Sequence, residues 1–178
     1  MANSIDERVL EFVLEHQPAW VAAASDVVTL GGDTIVVSVA AIAVTVFLWS
    51  PSRTKMTVIT PVVAVWLSVL SSAFFKDLFD RPRPTSAADV LSVTSSSFPS
   101  GHAAHAAALT ISLVVCLQPL QKKWASALIL SAVAVGFTRL SLGVHWPTDV
   151  VGGWVLGGVC VAIPVLVNRA VFVRTSVE

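Results

Sequence analysis

The sequence predicts an all-α integral membrane protein: a bundle of about five transmembrane helices preceded by an amphipathic helix at the membrane interface. Three observations predict it. The chain of 178 residues is 55% hydrophobic and only 12% charged, with a mean hydropathy of +0.81, whereas a soluble domain is about 25% charged. Five segments approach the ~20 apolar residues that a bilayer-crossing helix needs. Their apolar runs are continuous rather than alternating, which selects helices over barrel strands. The length suits one domain, and no boundary or internal repeat divides 1–178.

The elements follow in order. Residues 1–25 mix Val9, Leu10, Phe12, Val13 and Leu14 with acids before Pro18 and Trp20, the pattern of an interfacial rather than a spanning helix. Ser4 and Glu7 fit a capping box at its start. Asp6, Glu7, Glu11 and Glu15 are unlike a cleavable signal peptide, which needs a basic start and an apolar core. Gly31-Gly32 then breaks this segment from the transmembrane bundle, 30–173. The predicted spans are 30–49, 56–75, 102–118, 124–142 and 148–167. Their cores are essentially free of Asp, Glu, Lys and Arg, with Arg139 near the end of the fourth as the exception. Trp20, Trp49, Trp124 and Trp146 fall near span ends, as in an aromatic belt. Gly152-Gly153 and Gly157-Gly158 give the fifth span a small face suited to close helix packing within the monomer. Cys116 and Cys160 sit in apolar runs, with no spacing for a metal or a disulfide framework.

Basic residues orient the spans. Arg53 and Lys55 follow the first span, Lys122 and Lys123 follow the third, and Arg169 and Arg174 follow the fifth. With five spans these share one side, the cytoplasmic one. The other side receives the N-terminal segment, the long connector 76–101 and the turn 141–147, and with them ten of the eleven acids. Lys76, Arg81, Arg83 and Arg139 also fall on that side, against the usual rule, and an anion site there accounts for them. The net charge is zero, so nothing points to nucleic acid. The connector 76–101 is the one long loop, and such loops are commonly functional.

Three stretches carry chemistry. Lys76, Arg81 and Arg83 close the second span, with Pro82 and Pro84 stiffening the segment. Arginine forks bind phosphate oxygens in bidentate fashion, and lysine adds a point charge. Arg81 alone reads better as a cation on lipid headgroups or an ion pair with Asp77 or Asp80. Pro99-Ser100-Gly101-His102 opens the third span: Ser100 suits an N-cap, Gly101 lets a ligand approach, and the free amides attract phosphate. Taken alone, these residues also describe an ordinary capped helix start. Arg139 ends the fourth span, where a charge must face protein or water. Pro147 suits the first turn of the fifth span, with His145 before it and Asp149 four residues on. Such a carboxylate orients an imidazole and frees its other nitrogen as a nucleophile. Asp149 as a mere helix cap fits the same spacing.

The ordered pattern K-x6-RP, PSGH and R-x5-H-x3-D resembles the three signature motifs of the phosphatidic acid phosphatase type 2 superfamily, whose site vanadium haloperoxidases share. One departure is Thr138 before Arg139, where serine is usual, and the hydroxyl is kept. The resemblance implies a lipid phosphatase acting on a phosphate monoester or diphosphate through a phosphohistidine. It implies that Lys76, Arg83 and Arg139 bind the phosphoryl oxygens, with Ser100 and the Gly101 amide adding hydrogen bonds. His145 is implied as nucleophile, Asp149 as its orienting partner and His102 as the acid for the leaving oxygen. No metal or other cofactor is implied, and the partners are the lipid substrate and the bilayer. The expected location is the cell membrane, multi-pass, with the site on the extracytoplasmic face. A phosphotransferase using the same intermediate and a non-catalytic headgroup-binding protein are the alternatives. Peroxidase chemistry on bound vanadate is disfavoured by the spans. His105, three residues after His102, reads as a packed or supporting histidine, since no third metal ligand accompanies it.

Overall fold

A computed structural model describes residues 4–49, 55–84, 95–117 and 121–175. Among them every regular element is a helix: α1 (Ser4–His16), α2 (Ala19–Val28), a 3-10 turn (Thr29–Gly32), α3 (Thr34–Leu48), α4 (Lys55–Phe79), α5 (Gly101–Cys116), α6 (Gln121–Ser141) and α7 (Pro147–Thr175). Arg53, Pro119 and the 85–94 part of the low-complexity connector lie outside the described residues.

The N-terminal segment is two helices rather than one. Pro18, which lacks an N–H, stands between them. α1 buries Asp6 and Leu10 against the bundle and exposes Ile5, Val9 and Phe12. α2 is apolar and continues through the 3-10 turn into α3, with a bend of 50° between the two parts. The helix at the core of the first predicted span therefore starts at Thr34 rather than at Leu30. Asp33 caps it, its carboxylate accepting from the Ile35 and Val36 amides at 2.8 and 3.3 Å. α3 alone has 15 residues, and only together with α2 does it reach spanning length. The stretches Thr57–Phe79, Trp124–Ser141 and Pro147–Ala170 are each long and apolar enough to cross a membrane.

α5 is the hub, packed against α4, α6 and α7. Its 16 residues rise about 24 Å, short for a span, and three longer helices pack around it. Ala103, Ala104, Ala107 and Ala108 are almost fully buried. Gly153 and Gly157 of α7 press onto this alanine face: a Cβ on either would stand 2.5 Å from a backbone carbonyl of α5, that of Ser100 or of Ala104. The glycines thus pack two helices of the monomer at close range, as their spacing predicts. A second cluster joins Val37 and Ala41 of α3 to Ala64 and Val65 of α4, Ala108 and Val161. The outward surface is apolar as well, with Ile35, Leu70, Val155 and Leu166 more than half exposed, the inverse of a water-soluble bundle and the expectation for helices solvated by hydrocarbon.

Two backbone features shape the end of the bundle that carries the motifs. α4 runs on to Phe79, so the long connector begins at Asp80 and Lys76 belongs to the last helical turn, not to the loop. Asp80 takes φ 40° and its amide bonds the Lys76 carbonyl at 3.1 Å, a left-handed stop that turns Arg81–Pro84 back over the bundle. Gly143 takes φ 66° in the turn between α6 and α7, a conformation glycine adopts without strain. That turn sets His145 just before α7.

Candidate active site

A cavity of about 390 Å³ opens at this end of the bundle. Each helix terminus contributes to it. Lys76 comes from the end of α4, Gly101 and His102 from the start of α5, Arg139 from the end of α6, Arg83 from the returning loop and His145 from the turn. Residues separated by up to seventy positions therefore face one space, because α4 and α6 end where α5 and α7 begin. Asp149 lies behind His145 rather than in the wall, fully buried. Ser100 is also outside the wall. It occupies the N-cap of α5 without a side-chain capping bond, and its buried Oγ has no hydrogen-bond partner among the described residues.

His145 is held from both sides. Its Nδ1 lies 3.4 Å from Asp149 Oδ2 and its Nε2 lies 3.2 Å from Arg83 Nη1. A tautomer with the proton on Nδ1, facing the carboxylate, leaves the Nε2 lone pair toward the cavity and the Arg83 guanidinium. The same Asp149 Oδ2 accepts the Trp146 amide at 2.9 Å, so the carboxylate caps α7 as well as orienting the imidazole. Asp149 Oδ2 thus stands both at the start of α7 and beside the imidazole. Burial pushes the His145 imidazole down to about 4; Asp149 opposes this, and Arg83 and Arg139 add to it. The ring is therefore neutral at pH 7, as a nitrogen nucleophile must be.

The cations are positioned by backbone as much as by each other. Arg83 donates from Nε to the Ser95 carbonyl and from Nη1 to the Val144 carbonyl, both at 2.8 Å. Burial lowers its proton affinity and Asp149 partly restores it, leaving a guanidinium that stays charged. Arg139 donates from Nη1 to Thr29 Oγ1 at 2.5 Å, while its buried Nε has no partner among the described residues. Buried donors of this kind are uncommon, and a phosphoryl oxygen is the acceptor they suit. Gly32 packs beneath: a Cβ there would stand 2.7 Å from the His102 carbonyl, so the 3-10 turn braces the first residue of the α5 helix that bears a histidine.

Arg81 does pair with carboxylates, but not with its sequence neighbours. Its partners are Asp6 of α1, at 2.6 Å, and Asp149, at 2.5 Å, while Asp80 accepts from Ser96 Oγ. The sequence distance to Asp6 hides this contact. Trp146 is likewise not free for a lipid belt: its Nε1 donates to the Pro82 carbonyl and its ring lies 5.9 Å beneath Arg81. Trp20, Trp49 and Trp124 are exposed. The cavity wall also includes Thr34, Ser72 and His105, which the motifs did not mark. His105 lies between them at 3.5 Å from Thr34 Oγ1 and 3.4 Å from Ser72 Oγ. A hydroxyl on an apolar span looks the same in sequence whether it faces a cavity or bonds its own helix, so only His105 carried a signal. Among the described residues no three His, Cys, Asp or Glu side chains gather as metal ligands would.

Comparison with known proteins points to one family. Residues 57–172, well over half of the chain, match the PAP2 superfamily. An undecaprenyl-diphosphatase of Sulfolobus acidocaldarius is 32% identical over 122 residues, which cover 65% of this chain and 57% of that protein. A lipid A 4'-phosphatase of Bacteroides thetaiotaomicron is 34% identical over 113 residues, 54% of this chain and 49% of that one. The chain thus spans about half the length of the curated relatives it matches. The crystal structure of a transmembrane PAP2-type phosphatidylglycerolphosphate phosphatase from Bacillus subtilis superposes with a TM-score of 0.80 at 25% identity, over 94% of this chain and 86% of that one.

Proposed function

The chain belongs to the PAP2 superfamily, and we propose on that footing that it is a membrane phosphatase hydrolysing a lipid phosphate monoester or diphosphate through a phosphohistidine. One observation carries the reading: His145 presents Nε2 to a cavity walled by Lys76, Arg83 and Arg139, with Asp149 on its other nitrogen. A phosphoryl group in that cavity meets three cations and the N-terminus of α5, including the Gly101 amide. Charge on the transferring group is what such a site must hold.

The steps follow from the placements. Nε2 of His145 attacks phosphorus as the bond to the leaving oxygen breaks, and His102 gives that oxygen its proton. Asp149 holds the Nδ1 proton and the imidazolium-like charge that develops. Water, deprotonated by His102, then attacks the phosphohistidine and frees phosphate, returning the lone pair to Nε2. The cations occupy the electrostatic role that a metal plays elsewhere, so the reaction proceeds without one. Ser100 contributes its hydroxyl once the substrate phosphate draws it in.

The names of the relatives set the substrate panel: an isoprenoid diphosphate, a lipid A phosphate and phosphatidylglycerophosphate, with phosphatidic acid added. We place α1 at the membrane interface, its exposed Ile5, Val9 and Phe12 toward lipid, and count five crossings: α2 with α3, then α4, α5, α6 and α7. Lys55, Lys122, Lys123 and Arg169 then fall at the end of the bundle opposite the cavity, which supports an extracytoplasmic site by the positive-inside rule. The test is phosphate release by the protein from each lipid, with and without chelator, and in sealed right-side-out vesicles. We expect release that survives chelation, needs no permeabilisation, and falls about 10⁴-fold or more in His145→Ala. Full release by His145→Ala sinks the nucleophile assignment; loss on chelation sinks metal independence; latency in sealed vesicles reverses the topology.

A further inference from the structure

Behind His145 runs a chain of buried ion pairs that reaches the N-terminal helix. Asp149 Oδ2 serves Trp146 and His145, and Oδ1 accepts Arg81 Nη1 at 2.5 Å. Arg81 Nη2 donates to Asp6 Oδ2 at 2.6 Å. Asp6 also accepts the Thr148 amide at 3.0 Å and the Thr148 hydroxyl at 2.7 Å, so α1 grips the first turn of α7. Asp6 and Asp149 are both 0% exposed.

Such an arrangement is by itself a weak source of stability. A buried carboxylate–arginine–carboxylate chain is commonly no more stabilising than apolar residues of the same volume, and α1 is otherwise suited to dock through Leu10. The chain does have a geometric effect. With Arg81 on Oδ1, the Asp149 carboxylate cannot swing about its last torsion, so Oδ2 stays on the imidazole. Asp6 aims the Arg81 fork and shares its charge, so Asp149 is not fully neutralised and still supports the positive charge that develops on His145.

We propose that Asp6 and Arg81 are positioning residues for His145, acting through Asp149, and that α1 is therefore a working part of the catalytic site. The inference rests on the phosphatase reading above. Its consequence is a loss of kcat rather than of substrate binding, because neither residue borders the cavity. The two residues also act on the imidazole with opposite sign. Removing the Arg81 charge raises the proton affinity of His145, and removing the Asp6 charge lowers it. The other groups facing His145 are Arg83 from the loop, Arg139 from α6, His102 from α5 and Lys76 from α4, and none of them is altered.

The experiment compares Asp6→Asn, Arg81→Gln and the double variant with wild type and His145→Ala, on undecaprenyl diphosphate, phosphatidylglycerophosphate and phosphatidic acid, per amount of folded protein in detergent. The double variant leaves no unpaired buried charge between Asp6 and Arg81 and so guards against a folding failure of either single change. We expect kcat to fall about 10- to 100-fold, the scale of partners that stand behind a reacting group, with KM within about twofold. The acid limb of kcat/KM moves up in pH for Arg81→Gln and down for Asp6→Asn. An unchanged kcat, or a loss with both limbs unmoved, overturns the inference and leaves the chain structural. If His145→Ala itself keeps turnover, the phosphatase mechanism is what fails instead.

Discussion

Gly153→Ala tests whether the packing of α7 on α5 sets the catalytic geometry. A Cβ at 153 would stand 2.5 Å from the Ser100 carbonyl, 2.9 Å from Ala103 Cβ and 3.1 Å from the Ala104 amide. Those are backbone atoms of the first turn of α5, and the Ser100 carbonyl accepts its opening hydrogen bond from Ala104 at 3.0 Å. Real Cβ contacts stay beyond 3.0 Å, so the two helices must part by at least 0.5 Å there. The Ser100 amide bonds the Asp149 carbonyl at 2.9 Å across the same interface, so this shift moves the start of α5 away from His145. Overpacking costs about 1–3 kcal/mol. A misplacement of about 1 Å in a reacting geometry costs about 10²-fold, and half of that is about tenfold in kcat. Gly157→Ala is the control for packing alone: its Cβ meets the Ala104 carbonyl at 2.5 Å, one turn farther from the cavity. Gly158→Ala is the control for the glycine itself, since its nearest neighbour would be Ile111 Cδ1 at 3.9 Å, and alanine there should be neutral or stabilising by up to about 1 kcal/mol. The assay is loss of folded protein on heating in detergent, alongside phosphate release. The expected order is stability lost in Gly153→Ala and Gly157→Ala but not in Gly158→Ala, and kcat lost most in Gly153→Ala. Equal kcat in the 153 and 157 variants refutes the coupling of this interface to the site.

The remaining outcomes concern pH and the Ser100 hydroxyl. With the His145 imidazole held near 4, the loss of kcat/KM on the acid side, which reports protonation of the nucleophile in the free enzyme, should come only near pH 4; an acid limb centred near 6.5 contradicts the burial argument. The same shift bears on stability. The unfolded imidazole binds its proton near 6.5 and the folded one near 4, so this contribution is complete above 6.5 and is lost as pH falls toward 4. Asp6 acts at still lower pH: burial alone would raise its carboxyl, but hydrogen bonds from Thr148 and Arg81 hold it below the ordinary value, and what it adds is lost as acid protonates it. Ser100→Ala should leave stability unchanged, because Ser100 Oγ has no partner to lose among the described residues. It should lower phosphate release about 10- to 100-fold, the equivalent of one hydrogen bond to a charged group. A loss of stability equal to that of Gly153→Ala would show the hydroxyl to be structural.

The amino-acid sequence by itself determined the class of fold and marked most of the candidate site. Long apolar runs leave a backbone no way to satisfy its polar groups in hydrocarbon except as helices, so the helices could be read from composition. Lys76, Arg83, His102, Arg139 and His145 were legible because each sits at the end of an apolar run, where a charge or imidazole is conspicuous, and antiparallel spans bring alternate ends together. Asp149 was legible because its partner is four residues away on one helix turn. Tertiary structure decided the rest. It split the N-terminal segment at Pro18 and joined its second half to α3, since whether an apolar stretch of ten residues lies on a membrane or continues a bent span depends on what it packs against. It selected Thr34 and Ser72 from many similar hydroxyls, because facing a cavity is a property of helix rotation. It also placed Asp6 on Arg81 and on Thr148, the latter 142 residues away in sequence, a pairing that no local pattern encodes because it exists only once α1 is docked on the start of α7.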